Sequence, residues 1–559
     1  MSAEETLVEG RRLTGANFFC DEPAAVLDIE IDPRDFDVFF VEWKKTIEIL
    51  HQLLGREAPK VLFRSHERGQ SLIVTAPIDA LYSTIELLEE IFPILTISHY
   101  TALTSEALHN LSEKFKAIYK EEERKDIRKL QDEALQRNTP FLWDDDFLSL
   151  GYGKNSETWA LDQLPTDPDW GLYKAMPLAF ITGTNGKSTT TRLCSQVLKK
   201  ASLTVGFSST DGIWAGEECL DSGDYSGPGG AREVLRNKTV DAAILEVARG
   251  GLLRRGLGAE NADISLITNV AEDHLGEYGV NTLDELIEAK FIIRKALKPG
   301  GLLILNADDV GCVKFAESLD ETIVWFSLDK ENPIIQHQLE NRLTAYYTNA
   351  GRLVVSRDGA ESDICDINNI PICFQGAAKH NISNALAATA LCSQLGIEDK
   401  AIEAGLTSFD GNQQNPGRGN IFAHKGASIM VDFAHNPHGL NAVVDTLLQL
   451  PAKRRLVMLG HAGDRSNEDI HSLTKAALRL KPDQVIVYEL KDYLRGRKLG
   501  ETPSIINESL LSLDYPLDKV MQATNPIDGT KKALAWSKES DFLLLLVLAD
   551  REAVFTLLE

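Results

Sequence analysis

Short apolar runs alternate with amphipathic stretches along most of the chain from Leu178 onward. Five runs in a first set read LAFIT, AAILEV, DISLITNV, LLILNADD and TIVWFSL, and four in a second set, from Ser428, read SIMVDFA, RRLVMLGH, DQVIVYEL and DFLLLLVLAD. Strands that alternate with helices build βαβ units around a largely parallel sheet. The pattern therefore predicts two α/β domains, over residues 177–416 and 417–559, of which the second is smaller and doubly wound.

The first part of the chain has a different pattern. Residues 1–138 contain short strand-like runs between helical patterns and end in a highly charged stretch from Glu113 to Asn138. This mixture predicts a small α+β domain closed by a solvated helix, which is a candidate for binding substrate. Residues 139–176 are rich in aromatic residues, Gly, Asp and Pro and have no sustained period, so we predict a linker there.

Composition narrows the classes of partner. Of 559 residues, 58 are Lys or Arg and 83 are Asp or Glu, which gives a formal net charge of −25. Such a surface repels nucleic acids and anionic membranes, so we expect neither as a partner. The seven cysteines are scattered and never form a CxxC pair, which favours a reducing, cytoplasmic environment over a disulfide framework. No run approaches the roughly 20 apolar residues of a membrane span, and the N-terminal residues have no apolar leader pattern.

The first predicted strand of the central domain runs directly into a glycine-rich loop. The loop residues are Gly183, Thr184, Asn185, Gly186, Lys187, Ser188 and Thr189, and a helical pattern follows them. Glycines let backbone N–H groups curl around phosphate oxygens, Lys187 can reach the β- and γ-phosphates, and the Ser188 hydroxyl can ligate Mg²⁺. The general phosphate-loop pattern needs its first glycine at position 181, where Ile181 stands. These residues predict binding of ATP and Mg²⁺, with an ordinary glycine-rich turn as the alternative.

The sequence GTNGKST resembles the phosphate loop of the Mur ligases, of folylpolyglutamate synthase and of the C-terminal half of cyanophycin synthetase. In this resemblance Glu246, which ends the run AAILEV, and His274, beyond the next run, are magnesium ligands, and Lys290 is the lysine that many Mur ligases carbamylate. A carbamate would hold a second Mg²⁺, whereas an ammonium group would repel it. The alternatives are a cap or core role for Glu246 and His274 and an exposed helical position for Lys290.

Two further segments resemble the family's nucleotide pocket and hinge. In GAAKHNISN, Asn384 would contact adenine, while His380 and Asn381 would support the pocket. In NPGRG, Arg418 would contact nucleotide phosphate when the domains close, a task that suits a planar guanidinium group. Asp432, at the end of SIMVD, is placed to accept hydrogen bonds from ribose hydroxyls. Ordinary turn and cap roles are the alternative for each of these residues.

Longer segments resemble the Mur-like half of cyanophycin synthetase more closely than the cell-wall Mur ligases. They are TDGI at 210–213, SGPG at 226–229, EVARGG at 246–251 with RRGL at 254–257, and DYLRGR at 492–497. The resemblance implies a Mur-ligase-like central domain, a Rossmann-like C-terminal domain, and ATP-dependent joining of an amino acid to an acidic peptide or polymer through an acyl phosphate. The segment AHNP at 434–437 also resembles a motif of the family. The candidate substrate-contacting residues in all these segments are Asp211, Arg249, Arg254, His435 and Asn436.

The N-terminal part also resembles the synthetase, in RRLTGAN at 11–17 and in LGYGK at 150–154, the lead-in to its ATP-grasp module. Only about two dozen residues then precede the central domain, far too few for a domain of that kind. In the resemblance, the ATP-grasp half extends the polymer backbone and the Mur-like half adds an amino acid through an isopeptide bond. We therefore expect the chain to make only the isopeptide bond, while a separate ATP-grasp ligase or a preformed substrate supplies the backbone bond. A homo-oligomer is expected from the family. A folate or poly-glutamate ligase and a non-catalytic nucleotide-binding module are the alternatives, and Arg, Lys and Glu all stay open as amine donors.

Overall fold

The computed structural model describes residues 6–66, 69–273 and 275–559. These residues form three sheet-based domains in chain order, with a small sheet between the first and the second. His274, a predicted magnesium ligand, lies outside the described residues. Within the described ranges, no helix combines the length and the apolar character that crossing a bilayer requires.

The N-terminal domain packs helices on one antiparallel sheet. Its elements are Thr6–Leu13 (β1), Ala24–Glu30 (β2), Phe36–Leu53 (α1), Val61–His66 (β3), Gly69–Thr75 (β4), Leu81–Ile97 (α2), Ser105–Glu122 (α3) and Lys125–Gln136 (α4). The sheet order is β1-β2-β4-β3. In α1 the buried Phe36, Phe39 and Trp43 recur three or four residues apart, which gives the helix an apolar face toward the core. The charged stretch predicted to be one helix forms two, because Glu123 between α3 and α4 is extended.

The segment predicted to be a linker over residues 139–176 is instead partly ordered. Its strands are Phe141–Trp143 (β5), Phe147–Leu150 (β6) and Glu157–Ala160 (β7), which pair as a three-stranded antiparallel sheet. Trp143 and Tyr173 lie in one apolar cluster with Ile127 of α4. The aromatic residues that interrupt any regular period here pack against one another, which the pattern alone could not indicate.

The central domain is built on an eleven-stranded sheet. Its strands are Leu178–Thr182 (β8), Val205–Ser209 (β9), Gly212–Ala215 (β10), Glu218–Asp221 (β11), Ala242–Glu246 (β12), Ala262–Ile267 (β13), Leu297–Asn306 (β14), Thr322–Ser327 (β15), Ala345–Asn349 (β16), Arg352–Arg357 (β17) and Ala360–Asp366 (β18). Its helices are Lys187–Lys200 (α5), Pro228–Arg236 (α6), Arg249–Arg255 (α7), Leu283–Phe291 (α8), Val310–Ala316 (α9), Pro333–Glu340 (α10), Lys379–Gln394 (α11), Asp399–Thr407 (α12) and Gly411–Gln414 (α13).

Seven neighbouring strands of this sheet, in the order β9-β12-β8-β13-β14-β15-β16, are parallel, and antiparallel strands extend both edges. Every residue of β8 and β12 is buried, as expected of strands covered on both faces by helices. The predicted parallel sheet is therefore confirmed. Its first strand, β8, lies between β12 and β13, so the loop after β8 opens at the centre of the sheet edge.

The C-terminal domain is a smaller sheet covered by helices. Its elements are Arg418–His424 (β19), Ala427–Asp432 (β20), Pro437–Leu448 (α14), Arg455–Leu459 (β21), Asn467–Leu478 (α15), Gln484–Tyr488 (β22), Glu501–Ser512 (α16), Val520–Ala523 (β23), Pro526–Trp536 (α17), Phe542–Leu546 (β24) and Arg551–Leu558 (α18). The sheet order is β19-β20-β24-β21-β22-β23, and only β19 runs antiparallel to its neighbour among the described strands. This arrangement confirms the predicted doubly wound domain.

The carboxyl ends of the two parallel sheets face each other across a cleft. The Asn185 side chain, after β8, donates to Oδ1 of Asn436 (3.3 Å) and to Nδ1 of His438 (2.9 Å), both of which follow β20. Asp273, after β13, accepts a hydrogen bond from Arg465, after β21 (3.2 Å). Ligands of parallel α/β sheets bind at this edge. The fold therefore places the candidate site where the two edges meet.

Candidate active site

The phosphate loop, residues 183–189, joins β8 to α5 in a conformation that requires glycine at two positions. Gly183 has φ of +149° and Gly186 has φ of +88°. A Cβ atom at Gly183 would lie 1.9 Å from Oγ1 of Thr268, and one at Gly186 would lie 2.2 Å from Oδ1 of Asn384. Because both space and backbone angle exclude a side chain, the two glycines shape the loop rather than merely end a strand.

The next strand end holds the phosphate loop in place. Thr184 N–H donates to the Asn269 carbonyl (2.8 Å), and Asn185 N–H donates to Oδ1 of Asn269 (3.0 Å). In return, Oγ1 of Thr268 donates to the Asn185 carbonyl (2.7 Å). The first turn of α5 begins at Lys187, and the N–H groups at a helix start have no acceptor within the helix. The loop thus presents backbone donors and a positive helix end toward the cleft.

Two lysines converge on the carbonyl of Gly183. Lys187 Nζ donates to the carbonyls of Gly183 and Thr184, each at 3.0 Å, and Lys290 Nζ donates to Gly183 at 2.9 Å. Lys290 is only 5% exposed, so the exposed helical position that was its alternative is excluded. It lies in the last turn of α8. Burial, reinforced by nearby Lys187, lowers the pKa of Lys290 to about 7.

Glu246 is a buried carboxylate without a hydrogen bond to any described residue. It ends β12, is 2% exposed, and both of its side-chain oxygens are unpartnered. Burial raises its pKa, and nearby Lys187 and Ser188 oppose that effect. An unpaired buried carboxylate is costly, and a hard divalent cation is the partner that best removes the cost.

Glu246 and the Ser188 hydroxyl therefore fit a Mg²⁺ ion. Ser188 Oγ lies 3.3 Å from Oγ1 of Thr210, close to the same strand ends. The described part of the chain contains no group of three or more His, Cys, Asp and Glu side chains that could hold a metal by themselves. A phosphate oxygen of a bound nucleotide would complete the ligand set in the usual way for Mg²⁺.

The residues predicted to form the adenine pocket, with Asn384 as the adenine contact, lie beside the phosphate loop. Asn384, in α11, is within 3.5 Å of Thr190 Oγ1 and donates to Oδ1 of Asn381 (3.2 Å). Asn381 in turn donates to the Ile372 carbonyl (2.8 Å), which fixes the pair. His380 Nδ1 has no partner among the described residues. Burial and the neighbouring His438 lower the pKa of His380 to about 4, so the ring is neutral near pH 7.

Asp432 and Arg418 face each other at the start of the C-terminal domain. They are paired residues of β20 and β19, and the Arg418 guanidinium lies 4.5 Å from the Phe433 ring centroid. Burial raises the pKa of Asp432 to about 6, although Arg418 and backbone N–H groups, including Ala434 N–H at 2.7 Å, favour the carboxylate. The predicted ribose acceptor thus lies beside the predicted phosphate contact.

The five residues predicted to contact substrate lie in different environments. Asp211 accepts hydrogen bonds from Arg192 and Arg551, each at 2.6 Å. Burial alone would raise the pKa of Asp211, but Arg192, Arg418 and Arg551 outweigh it and lower the pKa. The carboxylate is therefore held between arginines, and its role toward substrate stays a prediction.

The remaining four are divided between the two sides of the cleft. Arg249 is buried and pairs with Glu277, whereas Arg254, in the same short helix, is exposed. His435 lies 3.8 Å from Asp273. Asn436 caps α14, where its Oδ1 accepts from Gly439 N–H (2.8 Å), and it also donates to Asn185 of the phosphate loop (3.1 Å). Asn436 therefore has both the cap role that was its alternative and a contact at the site.

Several residues at the site were missed from the sequence. Asn269 lies in the TNVAEDH segment and His438 directly follows AHNP, so their neighbours in sequence could have indicated them. Arg192 and Asn415 lie within the helix and the hinge that were predicted, but their residue types carry no signal there. Arg551 belongs to the last helix, and no local pattern connects it with a site more than 300 residues earlier.

Comparisons with known proteins agree with this geometry. Residues 181–392 match the family model for the Mur ligase middle domain, and residues 417–546 match the model for the Mur ligase, glutamate ligase domain. The chain is 37% identical over 362 residues to the cyanophycin synthetase of Geminocystis herdmanii, which covers 64% of this chain and 41% of that protein. It is 25% identical over 332 residues to a UDP-N-acetylmuramoyl-L-alanyl-D-glutamate–2,6-diaminopimelate ligase of Bacillus velezensis. That match covers 56% of this chain and 62% of that protein.

Solved structures agree in fold. Escherichia coli FolC in complex with DHPP and ADP matches with a TM-score of 0.52 and 18% identity, over 68% of this chain and 87% of that one. A folylpolyglutamate synthase/dihydrofolate synthase with Mn, AMPPNP and L-glutamate bound matches with a TM-score of 0.51 and 18% identity, over 68% and 89%. The chain spans about two fifths of the cyanophycin synthetases that it matches. With its middle domain and its glutamate ligase domain in sequence, the chain belongs to the Mur ligase family.

Proposed function

We propose that this chain is an ATP-dependent ligase that activates a carboxylate as an acyl phosphate and joins it to the amine of an amino acid. One observation carries the proposal: a phosphate loop with backbone donors and Lys187 lies beside Glu246, a buried carboxylate without a hydrogen-bond partner among the described residues. A loop suited to a nucleotide next to a carboxylate suited to a divalent cation is what phosphoryl transfer from Mg²⁺-ATP requires. The relatives and structural neighbours support the ligase class.

ATP would bind with its phosphates over residues 183–189. Lys187 now donates to two loop carbonyls, and it would exchange them for the β- and γ-phosphates, whose charge it matches. Asn384 would contact adenine and Asp432 the ribose hydroxyls, as the resemblance implies. The pKa of Asp432 is about 6, so its carboxylate becomes protonated at lower pH. Protonation would weaken the ribose contact, because a protonated carboxyl group loses part of its acceptor capacity.

Ser188 and Glu246 would hold the Mg²⁺ ion, together with His274, which the resemblance adds. The ion supplies charge neutralisation at the γ-phosphate. Lys290 would join a second site only as a carbamate, since its ammonium group repels a cation. A pKa of about 7 makes much of Lys290 a neutral amine at neutral pH, the form that adds CO₂ and releases a proton.

In the reaction, an oxygen of the acceptor carboxylate attacks the γ-phosphorus and ADP leaves. Lys187 and Arg418 neutralise the charge that is transferred, and the facing sheet edges exclude the water that would hydrolyse the acyl phosphate. The amine then attacks the acyl carbon, loses a proton and expels phosphate. Arg418 belongs to the C-terminal domain, so the reaction depends on how the two domains meet.

For the substrates, we propose an amino acid as the amine and a side-chain carboxylate of a cyanophycin-like peptide or polymer as the acceptor, which gives an isopeptide bond. Arg249, Arg254, His435 and Asn436 remain our candidates for contacting them. A separate ATP-grasp ligase, or a preformed substrate, would supply the backbone bonds. Arg, Lys and Glu all stay candidates for the amine donor.

The test is to incubate the purified chain with ATP, Mg²⁺ and each of the twenty amino acids in the presence of short acidic peptides, and to measure phosphate release and product mass. We expect phosphate release that requires both an acceptor and one amino acid. Stimulation by folate instead of acidic peptides would identify a folate ligase. Nucleotide binding without acceptor-dependent hydrolysis would reduce the chain to a binding module.

A further inference from the structure

The hinge between the central and C-terminal domains, residues 415–418, is held from two sides by an ion-pair relay. Arg192 of α5 donates to Oδ2 of Asp211 (2.6 Å) and, with its other nitrogen, to Oδ1 of Asn415 (3.0 Å). Arg551 of α18 donates to Oδ1 of Asp211 (2.6 Å) and to the Pro416 carbonyl (3.2 Å). Asp211 therefore connects the phosphate-loop helix with the last helix of the chain.

The hinge residues are closely fitted to this relay. Asn415 is 1% exposed, and its amide also donates to Oγ1 of Thr189 in the phosphate loop (3.2 Å). Gly417 has φ of +79°, and a Cβ atom there would lie 2.9 Å from Cδ of Arg551. The backbone of the hinge thus passes between the phosphate loop and the Arg551 side chain, and a larger residue at Gly417 would have to displace Arg551 and adopt a positive φ.

Arg418, the next residue, begins β19 and lies over Phe433. Its position relative to the phosphate loop is set by the hinge conformation, because no regular element separates Arg418 from Asn415. The pair between Asp211 and Arg551 is the contact of the relay that crosses from the central domain to the C-terminal domain. Any change that opens the hinge must break it.

We propose that Arg192, Asp211 and Arg551 form a hinge clamp, in which Arg551 is a positioning residue that holds the two domains closed and thereby aims Arg418 at the phosphate loop. The inference rests on the proposed function, since Arg418 acts there on the transferred phosphate. The clamp itself is a statement about domain closure and is measurable without turnover. It also gives Asp211 a structural task in place of the substrate contact predicted from the sequence.

Arg551→Ala is the sharpest variant, because Asp211 keeps its buried partner Arg192 and no charge is left alone in the interior. Arg479→Ala is the matched control, since Arg479 pairs with Asp445 inside the C-terminal domain. Small-angle X-ray scattering with Mg²⁺ and a non-hydrolysable ATP analogue is expected to give a larger radius of gyration for Arg551→Ala than for the wild type and the control. An unchanged radius overturns the clamp.

Kinetics separate positioning from substrate binding. A misaimed Arg418 is expected to lower kcat about 10- to 100-fold, while the KM for the acidic acceptor stays within about 2-fold of wild type. Millimolar guanidinium is expected to restore part of the rate to Arg551→Ala and none to Arg479→Ala. A higher acceptor KM in Asp211→Asn with unchanged scattering would instead make Asp211 a substrate residue.

Two outcomes need a second measurement. If Arg551→Ala does not fold, Arg551→Lys keeps the charge but replaces the planar guanidinium by a shorter, flexible ammonium group, so it should show the same opening to a smaller extent. If the wild type lacks ligase activity, the proposed function fails, while the scattering comparison still decides whether the clamp exists.

Discussion

Two carboxylates at neighbouring strand ends of the central sheet, Glu246 buried and Asp211 partly buried, have opposite surroundings. Glu246 ends β12 and has no hydrogen-bond partner among the described residues, and burial raises its pKa. Asp211 follows β9, the adjacent strand, where two arginines bind it and, with Arg418, lower its pKa in spite of burial. Both are acids that follow neighbouring parallel strands of one sheet. The difference lies in the hydrogen-bond partners that the protein itself provides to each carboxylate.

A buried acid that lacks a partner costs free energy until a ligand arrives, whereas a partly buried acid with two arginines is satisfied within the protein. Glu246 is therefore suited to hold an ion that comes and goes. Asp211 is suited to hold the protein together. The same contrast extends to the regions around them, since the phosphate loop has donors turned toward the cleft and the hinge has its donors and acceptors paired internally.

The largest expected effect comes from the phosphate-loop side. Lys187→Ala removes the cation that would reach the transferred phosphate, so we expect ADP release to fall about 1,000-fold with the melting temperature little changed. Lys199→Ala is the control, because Lys199 lies on the same helix and pairs at the surface with Glu217. Full turnover in Lys187→Ala, measured by coupled ADP assay, would remove the basis for assigning the loop.

Glu246→Gln sharpens the comparison directly. Losing the metal ligand is expected to lower kcat on the order of 100-fold, yet to raise thermal stability without Mg²⁺, because a costly buried charge disappears. Adding Mg²⁺ and ADP should raise the melting temperature of the wild type and of the control Glu218→Gln, but not that of Glu246→Gln. Equal stabilisation of all three proteins would mean that the ion binds elsewhere.

The sequence predicted the phosphate-loop side well because its information is local. A buried strand, glycines that only certain turns require, and GK followed by Ser are contiguous, and the structure has β8 at the predicted residues. Glu246 and Asp432 were found for the same reason, since both end strongly apolar strands. Chain order along a parallel sheet then brings such ends to one edge.

The hinge segment was predicted, but the contacts that hold it could not be, because its partners meet only through the tertiary fold. Arg551 reaches Asp211 after the chain has passed through two domains, and arginines at a helix start are common at surfaces. For Lys290 the sequence pattern allowed both a site role and an exposed position, and only the tertiary fold decides that the side chain is buried. The small sheet at residues 141–160 was missed because its strands are short and its stability comes from aromatic packing.

Asp432 is a third carboxylate and lies between the two extremes, with Arg418 near but a pKa raised to about 6. Because its folded pKa is above the unfolded value, its stabilising effect is complete only in acid and is lost as the pH rises through 6. Asp432→Asn should therefore gain up to about 3 kcal/mol of unfolding free energy at pH 8, and about half of that at pH 5.

The same variant is expected to bind ATP about 10-fold more weakly at pH 8, because the ribose loses a charged acceptor. Urea unfolding and calorimetry measure the two effects separately. The control is Asp445→Asn, which is exposed in the same domain. A loss of stability of Asp432→Asn at pH 8 would contradict this prediction. It would mean that the attraction between Asp432 and Arg418 exceeds the cost of burying the carboxylate.

The smallest effect tests whether the contrast between paired and unpaired groups also holds for cations. Arg249 pairs with Glu277, whereas Arg254, one turn later in α7, is exposed and makes no ion pair with any described residue. If Arg254 receives the acidic acceptor, Arg254→Ala should raise the acceptor KM about 3-fold, since an exposed ion pair contributes little. The KM for ATP should stay unchanged, and added salt should raise the wild-type acceptor KM toward that of the variant.

Arg342→Ala, far along the sequence on another surface segment, is the control. An acceptor KM that is indifferent to both Arg254 and salt would confine acceptor recognition to the buried groups of the cleft.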